Sequence, residues 1–228
     1  MSSTSAARLK ENSQSRRALQ KQELRAAILR AASEEFLRLG YEGFSLRRVA
    51  ERIGYTPTTI YLYFRDKDEL LLETVREGFA AFDKAIQDAA RDVDPRQRLS
   101  DLGRAYFEFG VKNGALYRLM FMQRADFLMP RLVGSGTPDE ELAALTFEPG
   151  AVHHRVVAQE LLVRAVSEGI ESGAFAPGDA AEKADALWAG VHGLTSLALS
   201  PLMSPEHARR VADELLTTLI RGLEKAGG

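Results

Sequence analysis

Between Leu24 and Leu223 apolar residues return at steps of three and four, and no stretch alternates at steps of two. A chain patterned this way hides its apolar surface by packing helix on helix, so an all-α fold is expected. Glycine, proline and capping residues divide the pattern into about nine helices. The first covers 17–39, with Leu24, Ile28, Ala31, Phe36 and Leu39 along its seam and Gly40 as its stop. Two short helices follow within 45–64. A long helix then starts near Lys67, behind a cap at Asp66, and carries Leu71, Val75, Phe79, Phe82 and Ile86. Five more are expected at 95–112, 115–123, 151–172 and 180–199 and from Pro205 onward, with a weakly patterned loop over 130–150. The organisation this implies is a disordered basic arm at 1–16, a three-helix head at 17–66 and a helical body at 67–228, joined by the long helix.

The stretch 45–67 carries the chemistry. Ser45 is placed to cap a short helix whose Leu46, Val49, Ala50 and Ile53 share one face. Gly54 permits a sharp turn, Thr56 caps the next helix, and Pro57 takes its first position, where no amide donor is needed. Ile60 and Phe64 then face inward, which turns Thr58 and Leu62 outward and leaves Thr59, Tyr61 and Tyr63 on the flanks. Two helices across a tight turn, the second presenting hydroxyls and aromatics, make a helix-turn-helix able to enter a DNA major groove. Arg47 or Arg48 can reach guanine or a phosphate, and Thr58 and Thr59 base edges or a thymine methyl. Tyr61, Tyr63 and Lys67 suit phosphate contacts that fix register. The alternative is a plain helical hairpin with exposed aromatics.

Charge supports the first reading. Residues 8–65 hold twelve Lys and Arg against six Asp and Glu, a net +6, whereas 66–228 hold eighteen against twenty-six, a net −8. A basic head on an acidic body is the footprint of a polyanion binder, although a solvated charge run gives the same count. The chain has no cysteine, which excludes disulfides and thiolate metal sites. Its apolar runs are too short and too often broken by charge to span a bilayer, and no secretory signal is read at the N-terminus, so a cytoplasmic protein without membrane contact is expected. No Gly-rich phosphate loop or nucleophile elbow occurs, so catalysis is not expected. Neither is a cofactor or metal: His153 and His154 would point about 100° apart on a helix, too far to share one ion.

The segment GYEGFSLRRVAERIGYTPTTIYLYFRDKDELL resembles the DNA-binding head of TetR-type transcriptional repressors. Ser45, Val49-Ala50, Ile53-Gly54, Thr56, Thr59, Tyr61, Tyr63-Phe64, Lys67 and Leu70 carry the resemblance, which extends over 24–72 without a gap. It implies that Ser45, Arg47, Thr56, Thr58, Thr59, Tyr61, Tyr63 and Lys67 face DNA. Pro57 and Leu62 depart from the family's usual residues, and Leu62 can offer an apolar contact to a thymine methyl. A second stretch, LWAGVHGLTSLAL at 187–199, is similar to the Trp-His-Gly signature of one TetR subclass. The resemblance implies a ligand cavity among the central helices. It also implies a homodimer formed by the last two helices, with Leu194, Ala198, Val211, Leu215 and Leu219 between the copies.

In the body, Tyr106, Phe107, Phe109, Tyr117, Met120, Phe121, Met122 and Phe127 either line an inducer cavity or make ordinary core. Trp188 and His192 stack four apart on one helix face, as packed core or as ligand contacts. Together these readings favour a repressor that binds a palindromic double-stranded DNA operator as a homodimer and is released by a small, mainly apolar inducer. The rivals are a DNA-binding dimer without a ligand and a helical enzyme or binding module. Activation instead of repression stays open.

Overall fold

The computed structural model describes residues 2–122 and 157–224, with side chains from 15 onward. Nine helices are present among the described residues and no strand. They are α1 (Ser2–Gly43), α2 (Leu46–Arg52), α3 (Pro57–Tyr61), α4 (Lys67–Ala89), α5 (Pro95–Lys112), α6 (Gly114–Phe121), α7 (Val157–Glu171), α8 (Ala180–Ala198) and α9 (Pro205–Leu223). The chain divides into two compact units, Met1–Arg76 and Glu77–Gly228, and the boundary falls inside α4.

In the first unit, Ile28, Ala32 and Phe36 of α1, Leu46, Val49 and Ala50 of α2, Ile60 of α3, and Phe64, Leu70 and Leu71 are all buried, and α2 lies against α1 and α3. Phe36 and Phe44 pack edge to face with ring centres 6.2 Å apart. Gly40, at φ 64°, breaks α1 where a side chain would be strained, and Gly54, at φ 74°, does the same between α2 and α3. Helix α1 begins at Ser2, within the stretch 1–16 expected as an arm, and no glycine or proline lies between Ser2 and Leu39.

In the second unit α8 lies against α5, α7 and α9, and α5 also touches α6, α7 and α9. Pro95 and Pro205 sit at helix starts behind Asp94 and Ser204, and the Asp179 carboxylate caps α8 by accepting from the Ala181 and Glu182 amides at 2.7 and 3.1 Å. Arg98 is buried and ties the α4–α5 turn by donating to the Asp92 and Val93 carbonyls while pairing with Glu168 on α7. The loop expected at 130–150, the start of the helix expected from 151, Phe127, and His153 and His154 lie outside the described residues.

Candidate functional site

The head places its outward side chains by local capping. The Ser45 hydroxyl accepts from the Arg48 amide at 3.3 Å, and the Thr56 hydroxyl accepts from the Thr59 amide at 3.3 Å with Pro57 at the first position of α3. Ile60 and Phe64 are buried beneath, so Thr58, Tyr61 and Leu62 are exposed, Leu62 at 79%. Thr56 is exposed too, its hydroxyl 3.0 Å from that of Thr59, while Ser45, Pro57, Thr59 and Tyr63 are partly covered. Helix α3 ends at Tyr61, so Leu62 and Tyr63 stand on the turn that follows it.

Arg47 and Arg48 are both exposed, and Arg47 pairs with Glu51 at 2.9 Å, a surface pair that a stronger partner can displace. Arg52 is committed elsewhere, bridging Glu34 and Glu35 of α1. The Arg38 guanidinium, helped by Arg52, holds the Glu35 carboxyl below the usual carboxylate range despite its burial. Lys67 lies with its ammonium 3.7 Å from the centre of the Tyr41 ring and donates to the Tyr41 carbonyl at 3.4 Å. The Asp66 carboxylate accepts from the Glu69 amide at 2.8 Å and opens α4.

In the second unit, residues far apart in sequence converge. The hydroxyls of Tyr106 on α5 and Tyr117 on α6 lie 2.9 Å apart, and His192 Nδ1 on α8 is 3.0 and 2.7 Å from them. Trp188 Nε1 donates to the Tyr106 hydroxyl at 3.2 Å. Phe121 stacks against Tyr117 at 4.9 Å, and Phe82 sits edge-on to Tyr106 and Phe109 at 5.2 Å. Met120 and Phe121 are partly buried against this core, and Phe107 lies within it. Burial pushes the Tyr106 hydroxyl up to about 12, pushes Tyr117 up as well, and moves His192 down, so all three stay neutral near pH 7.

The cluster is joined by ring contacts and hydrogen bonds and belongs to the hydrophobic core of the second unit. A shallow depression of about 470 Å³ elsewhere, lined by Asp88, Arg91, Asp92, Asp101 and Arg104, is too charged to suit an apolar guest. Leu194 and Ala198, expected between two copies, are instead buried in the chain's own core, whereas Val211, Leu215 and Leu219 remain partly exposed on α9.

Two features were missed in the sequence. Tyr55, in the turn between α2 and α3, is 48% exposed, and no spacing rule places a turn residue. Asp83 accepts from the Ala158 amide, yet its Oδ1 is buried without a partner, and burial raises its carboxyl. Its position between Phe82 and Ile86 on an apolar stripe was the available signal.

The pattern described as "Bacterial regulatory proteins, tetR family" matches residues 28–74, and "Tetracyclin repressor-like, C-terminal domain" matches residues 99–223. The chain belongs to the TetR family of transcriptional regulators. The HTH-type transcriptional activator FasR of Mycolicibacterium smegmatis is 33% identical over 104 residues, 45% of this chain and 48% of FasR. An uncharacterized HTH-type transcriptional regulator of Haemophilus influenzae is 30% identical over 109 residues, 47% of this chain and 53% of that protein. The chain thus spans about half the length of the curated relatives it matches. The structure of the TetR family regulator PfmR from Thermus thermophilus shares the fold with a TM-score of 0.68 at 24% identity, covering 87% of this chain and 99% of that one. In TetR terms the first unit holds the helix-turn-helix match and the second contains the whole of the C-terminal match. Among the described residues no helix is long and apolar enough to cross a membrane, and no cluster of metal-ligating side chains occurs.

Proposed function

We propose that this TetR-family regulator is a ligand-responsive repressor: a homodimer that holds a near-palindromic duplex operator and leaves it when a small, mainly apolar inducer occupies the body. The observation carrying this reading is the outward face of the head, where a capped α3 sets Thr58, Tyr61 and Leu62 in the open beside the exposed Arg47 and Arg48. Two such heads would enter successive major grooves about 34–36 Å apart. Thr58 and Thr59, with Leu62, would read base edges, and Tyr61, Tyr63 and Lys67, with the capping Ser45 and Thr56, would fix register on phosphates. Pro57 pre-sets the first turn of α3.

The inducer acts only through its preference between two conformations, and a coupling of about 1–3 kcal/mol makes a useful switch. Helix α4 is the natural lever, because its residues belong to both units. Tyr106, Phe109, Tyr117, Met120, Phe121, Trp188 and His192 supply the apolar wall and polar points such a ligand needs.

Selection of bound duplexes from a random pool, followed by gel shifts across a salt series with and without cell extract, tests the reading. A palindromic consensus, a steep salt slope and release by an extract compound are expected. Absence of salt-sensitive duplex binding sinks it. A second reading, activation, is favoured by the name of FasR; transcription from a template bearing the selected operator would then rise with added protein instead of falling.

A further inference from the structure

The arginines of the first unit are mostly held by carboxylates. Arg25 pairs with Glu73, Arg38 with Glu35, Arg47 with Glu51, Arg52 with Glu34 and Glu35, and Arg65 with Asp66. Arg16, Arg17 and Lys21 are different: all three are exposed and form no ion pair among the described residues. They stand on the part of α1 that precedes its buried seam. Every residue from 15 to 23 is exposed, and burial starts at Ile28. Between Ser15 and Arg25, Glu23 alone is acidic, against Arg16, Arg17, Lys21 and Arg25.

Arg17, Lys21 and Arg25 recur at steps of four, so they share one face of the helix. Arg25 fixes where that face looks. Its guanidinium lies over the Phe64 ring, 5.7 Å from the centre, and donates to Glu73 of α4 at 2.8 Å. Phe64 follows directly on Leu62 and Tyr63, the turn in which the outward face of α3 ends. The basic face therefore leaves the core beside the element proposed to enter the groove. It continues outward, with Lys21 about 6 Å and Arg17 about 12 Å further along the helix axis. Like charges four apart weaken a helix, and a row of anions set against them removes that repulsion.

We propose that the Arg17–Lys21 face of α1, with Arg16 on its flank, is a second DNA contact surface, which lies along the phosphates outside each half-site and lengthens the footprint beyond the base pairs that α3 reads. The proposal rests on the DNA-binding reading of the head. Charge and place favour duplex DNA together as the occupant, because the face is cationic, unpaired and continuous with the α3 side of the head. Contacts of this kind go to the backbone, so they raise affinity without adding sequence preference.

Fluorescence anisotropy of the full-length protein across a salt series tests it with two duplexes carrying the consensus selected from the random pool. One duplex ends flush with the outer base pairs of the half-sites, and the other continues about ten base pairs, one helical turn, further on each side. On the long duplex the double variant Arg17→Ala/Lys21→Ala is expected to bind at least about tenfold more weakly at about 0.1 M salt, with a salt slope shallower by about two for each bound head. On the flush duplex the same variant is expected to bind nearly as wild type does, and duplex selection with it is expected to return the same consensus. Arg17→Lys/Lys21→Arg keeps the charge and is expected to keep affinity and slope. Arg30→Ala removes an exposed charge nine positions from Lys21, on the opposite side of α1. It is expected to change long-duplex affinity by no more than about twofold, because a charge that touches no phosphate is screened. Lys21→Ala alone is expected to lose severalfold.

Unchanged affinity and slope for the double variant overturn the flanking contact and leave the head standing as a DNA binder. Equal losses on the flush and long duplexes overturn the placement outside the half-site. Equal losses from Arg30→Ala and Lys21→Ala reduce the effect to net charge, and a changed consensus makes the face a base reader; either result ends the proposal. No salt-sensitive binding of either duplex by the wild-type protein overturns the DNA-binding reading and this contact with it.

Discussion

At neutral pH Asp83 is a carboxylate kept against its surroundings. Burial raises its carboxyl above the ordinary 3.8, and the Ala158 amide offsets this only in part. The folded chain therefore holds the proton more tightly than the unfolded one. The stability this gives is full below the unfolded value and is lost as pH rises through the folded one. Asp83→Asn is expected to be more stable than the parent near pH 7 by on the order of 1 kcal/mol, the low end of the cost of an unsatisfied buried group, with the gap closing toward pH 4. Urea denaturation at both pH values measures it, and a gap independent of pH contradicts the account. In the head, Arg47→Ala is expected to cost about 1–3 kcal/mol of operator affinity and relax one base position, whereas Tyr61→Ala should weaken all duplexes alike and reduce the salt slope. A uniform loss for Arg47, read from the same duplex selections, would move it to phosphate.

Among the elements, α5, α6 and α8 position the polar cluster, and one small residue permits their approach. A Cβ on Gly110 would fall 2.3 Å from Thr195 Cγ2 on α8 and 3.2 Å from Tyr117 Cδ2 on α6. Gly110→Ala must push α5 away from its neighbours, at an expected cost of about 1–3 kcal/mol for overpacking. Its signature is a changed Trp188 fluorescence as the Tyr106–Tyr117–His192 contacts open; an unshifted spectrum at unchanged melting temperature would show that Thr195 simply turns aside. The same elements show what a sequence can convey. Caps at Ser45, Thr56 and Asp66 and breaks at Gly40 and Gly54 were legible because each acts within a few residues of itself. The meeting of Tyr106, Tyr117 and His192 was not, since helical period gives the face a residue occupies and not the face it meets. Likewise Phe175, fully buried over Gly169, sits between helices where no period applies.

The scale of the whole molecule turns on α9, which has two apolar faces. Ala208, Ala212, Leu216, Ile220 and Leu223 are spent on the chain's own core, while Val211, Leu215 and Leu219 pack only partly and keep exposed surface. Core packing separates these sets in a way the sequence could not, and Leu194 and Ala198 of α8 are buried in the chain's own core. A face of this kind, in a TetR-family chain whose heads are proposed to bind two half-sites, is the candidate seam of the dimer. Leu215→Glu sets a charge in the middle of that seam and is expected to give monomers by light scattering. Because Leu215 also touches the core, a melting curve must accompany it, and a folded monomer is the informative product. Such a monomer keeps an intact head yet loses the second contact, so its operator affinity should fall by about 10²–10⁴-fold while affinity for an isolated half-site stays nearly unchanged. A folded Leu215→Glu protein that remains dimeric would move the interface to another face of the second unit.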